Sequence, residues 1–199
     1  MTSTAESKFV GLVRDWLVSL PHDLKIAFDA MDDENLPRNA RELAVGTIIY
    51  IVSPHDSVSD RNDTIVSFAD DAVLLRLGMK RLIQLGEEDG EAFRDRYAEL
   101  FDGLDDQLQL CTSVMGDLMT WLSSKVETLR NLDYKGKKIK AYLDDDEARE
   151  QLFDDGLVFR TNYPVDETTI GDKVKKASTI TDVMRRRKAE EARAKGQAS

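Results

Sequence analysis

The stretch of sequence that decides the fold spans residues 50–71 and reads YIVSPHDSVSDRNDTIVSFADD. An apolar helix must end here at Ser53, because the ring of Pro54 disfavours helical backbone before it and proline has no amide hydrogen to donate. Residues suited to capping a new helix follow near Asn62. The stretch therefore predicts a helix, a polar turn and a second helix, whose first turns carry the paired aspartates Asp70 and Asp71.

The same residues resemble the signature of the YkvA-like bacterial domains of unknown function: Tyr50-x-x-Ser53-Pro54-x-Asp56, then Asp60, then Asp70-Asp71. The resemblance covers roughly residues 36–83. Ser59 stands where the family usually has proline, and Ser67 stands where it usually has glycine. The resemblance implies a helix–turn–helix hub and names no settled activity.

The amino-acid composition limits which class of protein this can be. The 199 residues are 41% hydrophobic and 33% charged, which suits a helical protein with its own core. Cys111 is the single cysteine, so no internal disulfide can form and a reducing compartment is expected. The longest apolar run, residues 43–52, is shorter than the roughly 20 residues of a membrane span, and no secretory signal is visible. We expect a cytoplasmic protein without a transmembrane segment.

Charge is distributed unevenly along the chain. The formal net charge is −10 at pH 7. Residues 172–199 carry nine Lys and Arg against four Asp and Glu, so this segment is basic while the rest is strongly acidic. An acidic body repels nucleic acid, and any such contact would have to come from the basic segment.

Apolar residues recur at helical spacing through the first two thirds of the chain. Proline is favoured in the first turn of a helix, so Pro21 and Pro37 predict the starts of a second and a third helix. A fourth helix would end at Gly86. The apolar spacing over residues 93–129 indicates one long helix of about 40 residues, or two helices joined near Gly103. Its continuous phase slightly favours one helix.

These patterns predict a nearly all-α fold in three parts. Residues 1–132 form a multi-helix bundle that contains the hub. Residues 133–163 form a small mixed appendage, in which strands at 137–143 and 157–163 flank an acidic helix. Residues 164–199 form a basic tail, partly helical or mobile, and we expect the core to be complete without it.

The candidate site consists of Ser53, Asp56, Asp60, Asp70 and Asp71. We interpret these residues first as turn-bracing groups, because helix ends need side chains that satisfy exposed backbone groups and the N-terminus of a helix favours carboxylates. The alternative is a Mg²⁺ or Ca²⁺ site, since hard oxygen ligands suit both ions. The first interpretation implies no cofactor.

We expect a non-enzymatic adaptor or regulatory protein that binds a protein partner through helical faces and the tail. A divalent-metal-dependent hydrolase using Asp56, Asp60, Asp70 and Asp71 is the alternative, and nucleic-acid binding through the tail is the third. A homo-oligomer could form through the long helix. The predicted partner-binding residues are the basic cluster of Arg185, Arg186, Arg187 and Lys188.

Overall fold

The computed structural model describes residues 4–53, 65–164 and 167–197. Within them the fold is the expected nearly all-α bundle, with a single hairpin of two-residue strands, β1 (Asp133–Tyr134) and β2 (Lys137–Lys138). The helices are α1 (Thr4–Asp32), α2 (Arg38–Val52), α3 (Ala69–Arg96), α4 (Ala98–Phe101), α5 (Leu104–Met115), α6 (Asp117–Val126), α7 (Ala141–Asp144), α8 (Asp146–Asn162), α9 (Glu167–Lys173) and α10 (Ala177–Gln197).

The centre of the core lies where α1, α2 and α3 pack on one another. Each presents a face of fully buried apolar residues, for example Leu24 on α1, Ile48 on α2 and Leu74 on α3. Around this centre, α5 packs on α1, α6 packs on α3, and α8 packs on α1 and α2. The hub predicted from the sequence therefore provides two of the three central helices.

A second helix starting at Pro21 was predicted, and this is wrong, because α1 runs without interruption through that residue. A proline inside a helix cannot donate to the carbonyl four residues earlier, which here belongs to Leu17. The hydroxyl of Tyr163 donates to this carbonyl instead, at 2.7 Å in a buried position. A side chain far along the chain thus replaces the backbone donor that proline lacks.

The single long helix over residues 93–129 is also wrong. The structure divides this region into the end of α3 and the helices α4, α5 and α6. Gly103 and Gly116 adopt φ values of 68° and 55°, which glycine tolerates and other residues avoid. The apolar spacing does not reveal these breaks, because the apolar residues of each short helix again face the core and the pattern stays in phase. The predicted homo-oligomer depended on this long helix, which the structure replaces with several shorter helices.

In the mixed appendage, the strand predicted at residues 157–163 is wrong, since these residues belong to α8 except for the last. The side chain of Asp145 caps this helix by accepting from the amides of Glu147 and Ala148. Residues that favour strands, such as Val158, are helical here. The helix is capped and packs on the bundle, and helix formation is cooperative. The other predicted strand is reduced to Lys137–Lys138.

The C-terminal segment is helical and folds onto the bundle as α9 and α10. Val174, Ile180 and Met184 are fully buried in the same core as the central helices. Arg14 on α1 donates from Nε to the carbonyl of Val174 at 2.6 Å. The core is therefore not complete before residue 164, contrary to expectation, because the apolar face of the tail finds its packing partners within the chain.

Tyr163→Phe should destabilise the protein by about 1–3 kcal/mol, because the Leu17 carbonyl would stay buried without this donor. The cost should shrink in a Pro21→Ala background, where the restored amide can donate to the same carbonyl. Chemical denaturation of the four proteins measures this coupling. Equal costs in the two backgrounds would contradict the role assigned to Tyr163.

Candidate functional site

The predicted site residues that the structure describes, Ser53, Asp70 and Asp71, lie at the junction of α2 and α3. Ser53 follows α2 directly and donates its amide to a carbonyl one turn back, at 2.9 Å. Asp70 and Asp71 lie in the first turn of α3, and both side chains are completely buried. Asp56 and Asp60 lie outside the described residues.

Arg187 on α10 brings a positive charge to the two buried aspartates. Its Nη1 donates to Oδ2 of Asp70 in an ion pair and lies 3.9 Å from Oδ2 of Asp71. The hydroxyl of Tyr50, near the end of α2, donates to the same Asp70 oxygen at 2.9 Å. A helix N-terminus also favours carboxylates. These interactions offset the large cost of taking charged groups out of water.

The same interactions fix the protonation states around Asp70. Burial raises the pKa of Tyr50, and the charges of Asp70 and Asp71 raise it further, so its hydroxyl remains a donor. Burial alone would lower the pKa of Arg187, but the two carboxylates outweigh this effect and raise it. Arg187 is therefore a permanent cation at this position.

Two further ion pairs fasten the same part of α10 to the bundle. Lys188 Nζ lies 2.6 Å from Oδ2 of Asp117, at the start of α6. Glu191 Oε1 lies 2.5 Å from Nζ of Lys125, near the end of α6. The Lys125 ammonium also lies 4.9 Å from the ring centre of Tyr50, within the range of a cation–π contact. Both ends of α6 are thus tied to α10 beside the buried aspartates.

The four residues of the basic cluster therefore lie in different environments. Arg187 and Lys188 are engaged with the bundle as described. Arg185 pairs with Asp182 of its own helix at 2.8 Å, and Arg186 is exposed. Partner capture by the cluster stays a prediction, and three of its four side chains already have partners within the chain.

A second buried ion pair, which the sequence analysis missed, joins α1 to α3. Arg76 Nη2 lies 2.7 Å from Oδ2 of Asp23, and both side chains are about 5% exposed. Arg76 also donates to the hydroxyl of Ser19 at 3.1 Å and lies over the ring of Trp16 at 5.1 Å. Burial lowers the pKa of Arg76, and the charge of Asp23 opposes this effect.

The pKa of the Tyr163 hydroxyl is affected by carboxylates from both buried ion pairs. Burial raises this pKa, and the charges of Asp71 and Asp23 raise it further. One carboxylate of each ion pair therefore acts on the Tyr163 hydroxyl. The sequence signal that could have revealed the second ion pair is a charged residue inside the apolar face of each of two neighbouring helices, Asp23 on α1 and Arg76 on α3.

The chemistry open to this site follows from these contacts. Within the described residues, no three His, Cys, Asp or Glu side chains come together as a group that could hold a metal ion. Asp70 and Asp71 instead face a guanidinium group. The described geometry is that of a structural junction in which one guanidinium group faces two buried carboxylates, and the metal alternative depends on Asp56 and Asp60 as well.

Comparison of the chain with models of known families, with curated proteins and with solved structures gave no match. The resemblance to the YkvA-like domains therefore stays a prediction. No helix within the described residues combines the length and apolar character needed to cross a membrane. The cytoplasmic location likewise stays a prediction.

Arg187→Gln should destabilise the protein by about 3 kcal/mol, because it leaves the Asp70 and Asp71 carboxylates buried without the guanidinium group. Arg186→Gln is the matched control, and it should change stability by less than about 0.5 kcal/mol because this side chain is exposed. Asp70→Asn should recover part of the loss in the Arg187→Gln background.

Denaturation with and without a chelator measures these effects, and the losses should not depend on the chelator. Equal stability of the two Arg variants would contradict the structural junction. A wild-type melting temperature that rises with divalent metal, and does not rise in Asp70→Asn, would favour the metal alternative.

Proposed function

We propose that the protein is a non-enzymatic interaction protein, of adaptor or regulatory type, that binds another protein chain through an exposed face of α8. The observation that carries the proposal is a set of exposed apolar side chains on this helix. In the part of the chain that the structure describes, the large hydrophobic side chains that stand exposed are Phe153 (39%), Leu157 (62%) and Val158 (58%). We call these three residues the α8 strip.

The α8 strip is held rigidly against the bundle. The ring of Phe153 stacks on Phe28 of α1, with ring centres 4.8 Å apart. Gly156 packs so closely that a Cβ atom there would lie 2.5 Å from the same Phe28 ring. A surface whose backbone is already fixed loses little conformational entropy on binding, which favours association.

Apolar surface continues beside the strip. A cleft of about 360 Å³ opens between α8, the end of α2 and the turn before α3. Its apolar lining includes Val52, Phe68, Val158, Phe159 and Tyr163. An exposed helix face beside an apolar cleft is suited to a partner helix that inserts hydrophobic side chains.

The metal-dependent hydrolase remains the alternative, and one observation favours keeping it. Oδ1 of Asp70 is buried without a hydrogen-bond partner among the described residues, so this carboxylate has one unused acceptor. A cation at this position would compete with Arg187 for the same carboxylate. Nucleic-acid binding through the tail gains no comparable support, because Arg187 and Lys188 are engaged with carboxylates of the bundle.

Leu157→Glu should abolish binding of the partner protein, because it places a charge among the apolar side chains of the α8 strip. Gln151→Glu is the matched control: it adds the same charge at an exposed position of the same helix outside the strip. Affinity capture from a lysate of the native host, followed by quantitative mass spectrometry, compares both variants with wild type. Unchanged capture by folded Leu157→Glu would overturn the proposed use of α8.

A further inference from the structure

The exposed face of α8 carries a coiled-coil spacing. Glu150, Phe153, Leu157 and Arg160 follow one another at intervals of three, four and three residues, and all four are exposed. Residues at these intervals lie on one stripe of a helix and correspond to the a, d, a and d positions of a heptad. Two apolar residues thus occupy the middle of the stripe, and one charge of each sign occupies its ends.

We propose that this stripe binds the same stripe of a second copy of the chain, with the two α8 helices antiparallel. The inference rests on the proposed function, because it names the partner at the same surface. With the two-fold axis at the level of Asp155, Phe153 of each copy packs against Leu157 of the other. Glu150 of each copy then faces Arg160 of the other.

The charges decide the direction of the pairing. Glu150 and Arg160 lie about 15 Å apart along their own helix, so they cannot pair within one chain. Neither has an ion-pair partner among the described residues. A parallel arrangement would place each charge against its own copy and repel, whereas the antiparallel arrangement makes two complementary pairs.

The charges also favour a second copy over other occupants. A uniformly basic helix would satisfy Glu150 and repel Arg160, and a uniformly acidic one would do the reverse. A second copy satisfies both charges and both apolar layers at once, as an isologous two-fold interface requires.

The size of the stripe sets the expected strength of the dimer. α8 has 17 residues, so it is about 25 Å long. A stable interface usually buries about 800 Å² on each partner, which is more than one such stripe provides. We therefore expect a reversible dimer whose population rises with protein concentration.

A charge exchange on the full chain tests the proposal. Glu150→Arg and Arg160→Glu should each raise the dimer dissociation constant about tenfold or more, since each change creates two like-charged pairs. The double variant should return close to the wild-type value. Because the two positions cannot meet within one copy, this recovery has to come from a contact between copies.

Sedimentation equilibrium over a micromolar to millimolar concentration range measures the dissociation constants, with circular dichroism confirming that each variant is folded. Glu88→Arg, at an exposed position on α3, is the matched control for net charge and should have no comparable effect. Leu157→Glu should abolish the dimer.

A wild-type chain that stays monomeric throughout, or a double variant that fails to recover, overturns the antiparallel dimer. If Leu157→Glu still removes a different captured protein in that case, the proposed function stands without the dimer. If Leu157→Glu changes neither association nor capture, both proposals are overturned.

Discussion

The structure depends on the burial of two adjacent carboxylates, Asp70 and Asp71, at the start of α3. A buried carboxylate is stable only when opposite charge and hydrogen-bond donors reach it, because its removal from water is costly. The hub provides one donor, Tyr50, and α10 provides the guanidinium of Arg187. The hub therefore requires α10, whose apolar residues Ile180 and Met184 are buried in the same core.

This requirement bears on function. The basic tail looks from its composition like an element for acidic partners, yet its contacts direct Arg187 and Lys188 towards carboxylates of the bundle. The surface that remains apolar and exposed within the described residues is the α8 strip, on a helix for which the sequence predicted a strand over residues 157–163. The interaction role expected from the sequence therefore moves, in our proposal, from the tail to α8.

The sequence correctly predicted features that depend on neighbouring residues in the chain. The end of α2 at Ser53 follows from proline, and the nearly all-α class follows from apolar periodicity. Capping residues near Asn62 predicted an earlier start for the helix that carries Asp70 and Asp71, whereas Ile65–Phe68 form a 3₁₀ helix and α3 starts at Ala69 without a side-chain cap. The predicted long helix is broken locally, at Gly103 and Gly116. The helix start at Pro21 and the separate tail were wrong because a distant residue supplies a missing partner. The donor for the Leu17 carbonyl lies 146 residues away, and the cation for Asp70 lies 117 residues away. Such pairings are set by tertiary packing, which apolar spacing in one sequence does not encode.

The central claim is that α10 is part of the core because the buried carboxylates require it. Native-state hydrogen exchange of the full chain tests this claim most directly, since it resolves the free energy at which each segment opens. The account predicts that amides of α10 from Ile180 to Lys188 exchange with the same opening free energy as amides in the middle of α1, through global unfolding. Exchange of α10 at a much lower free energy, while α1 to α3 stay protected, would contradict it.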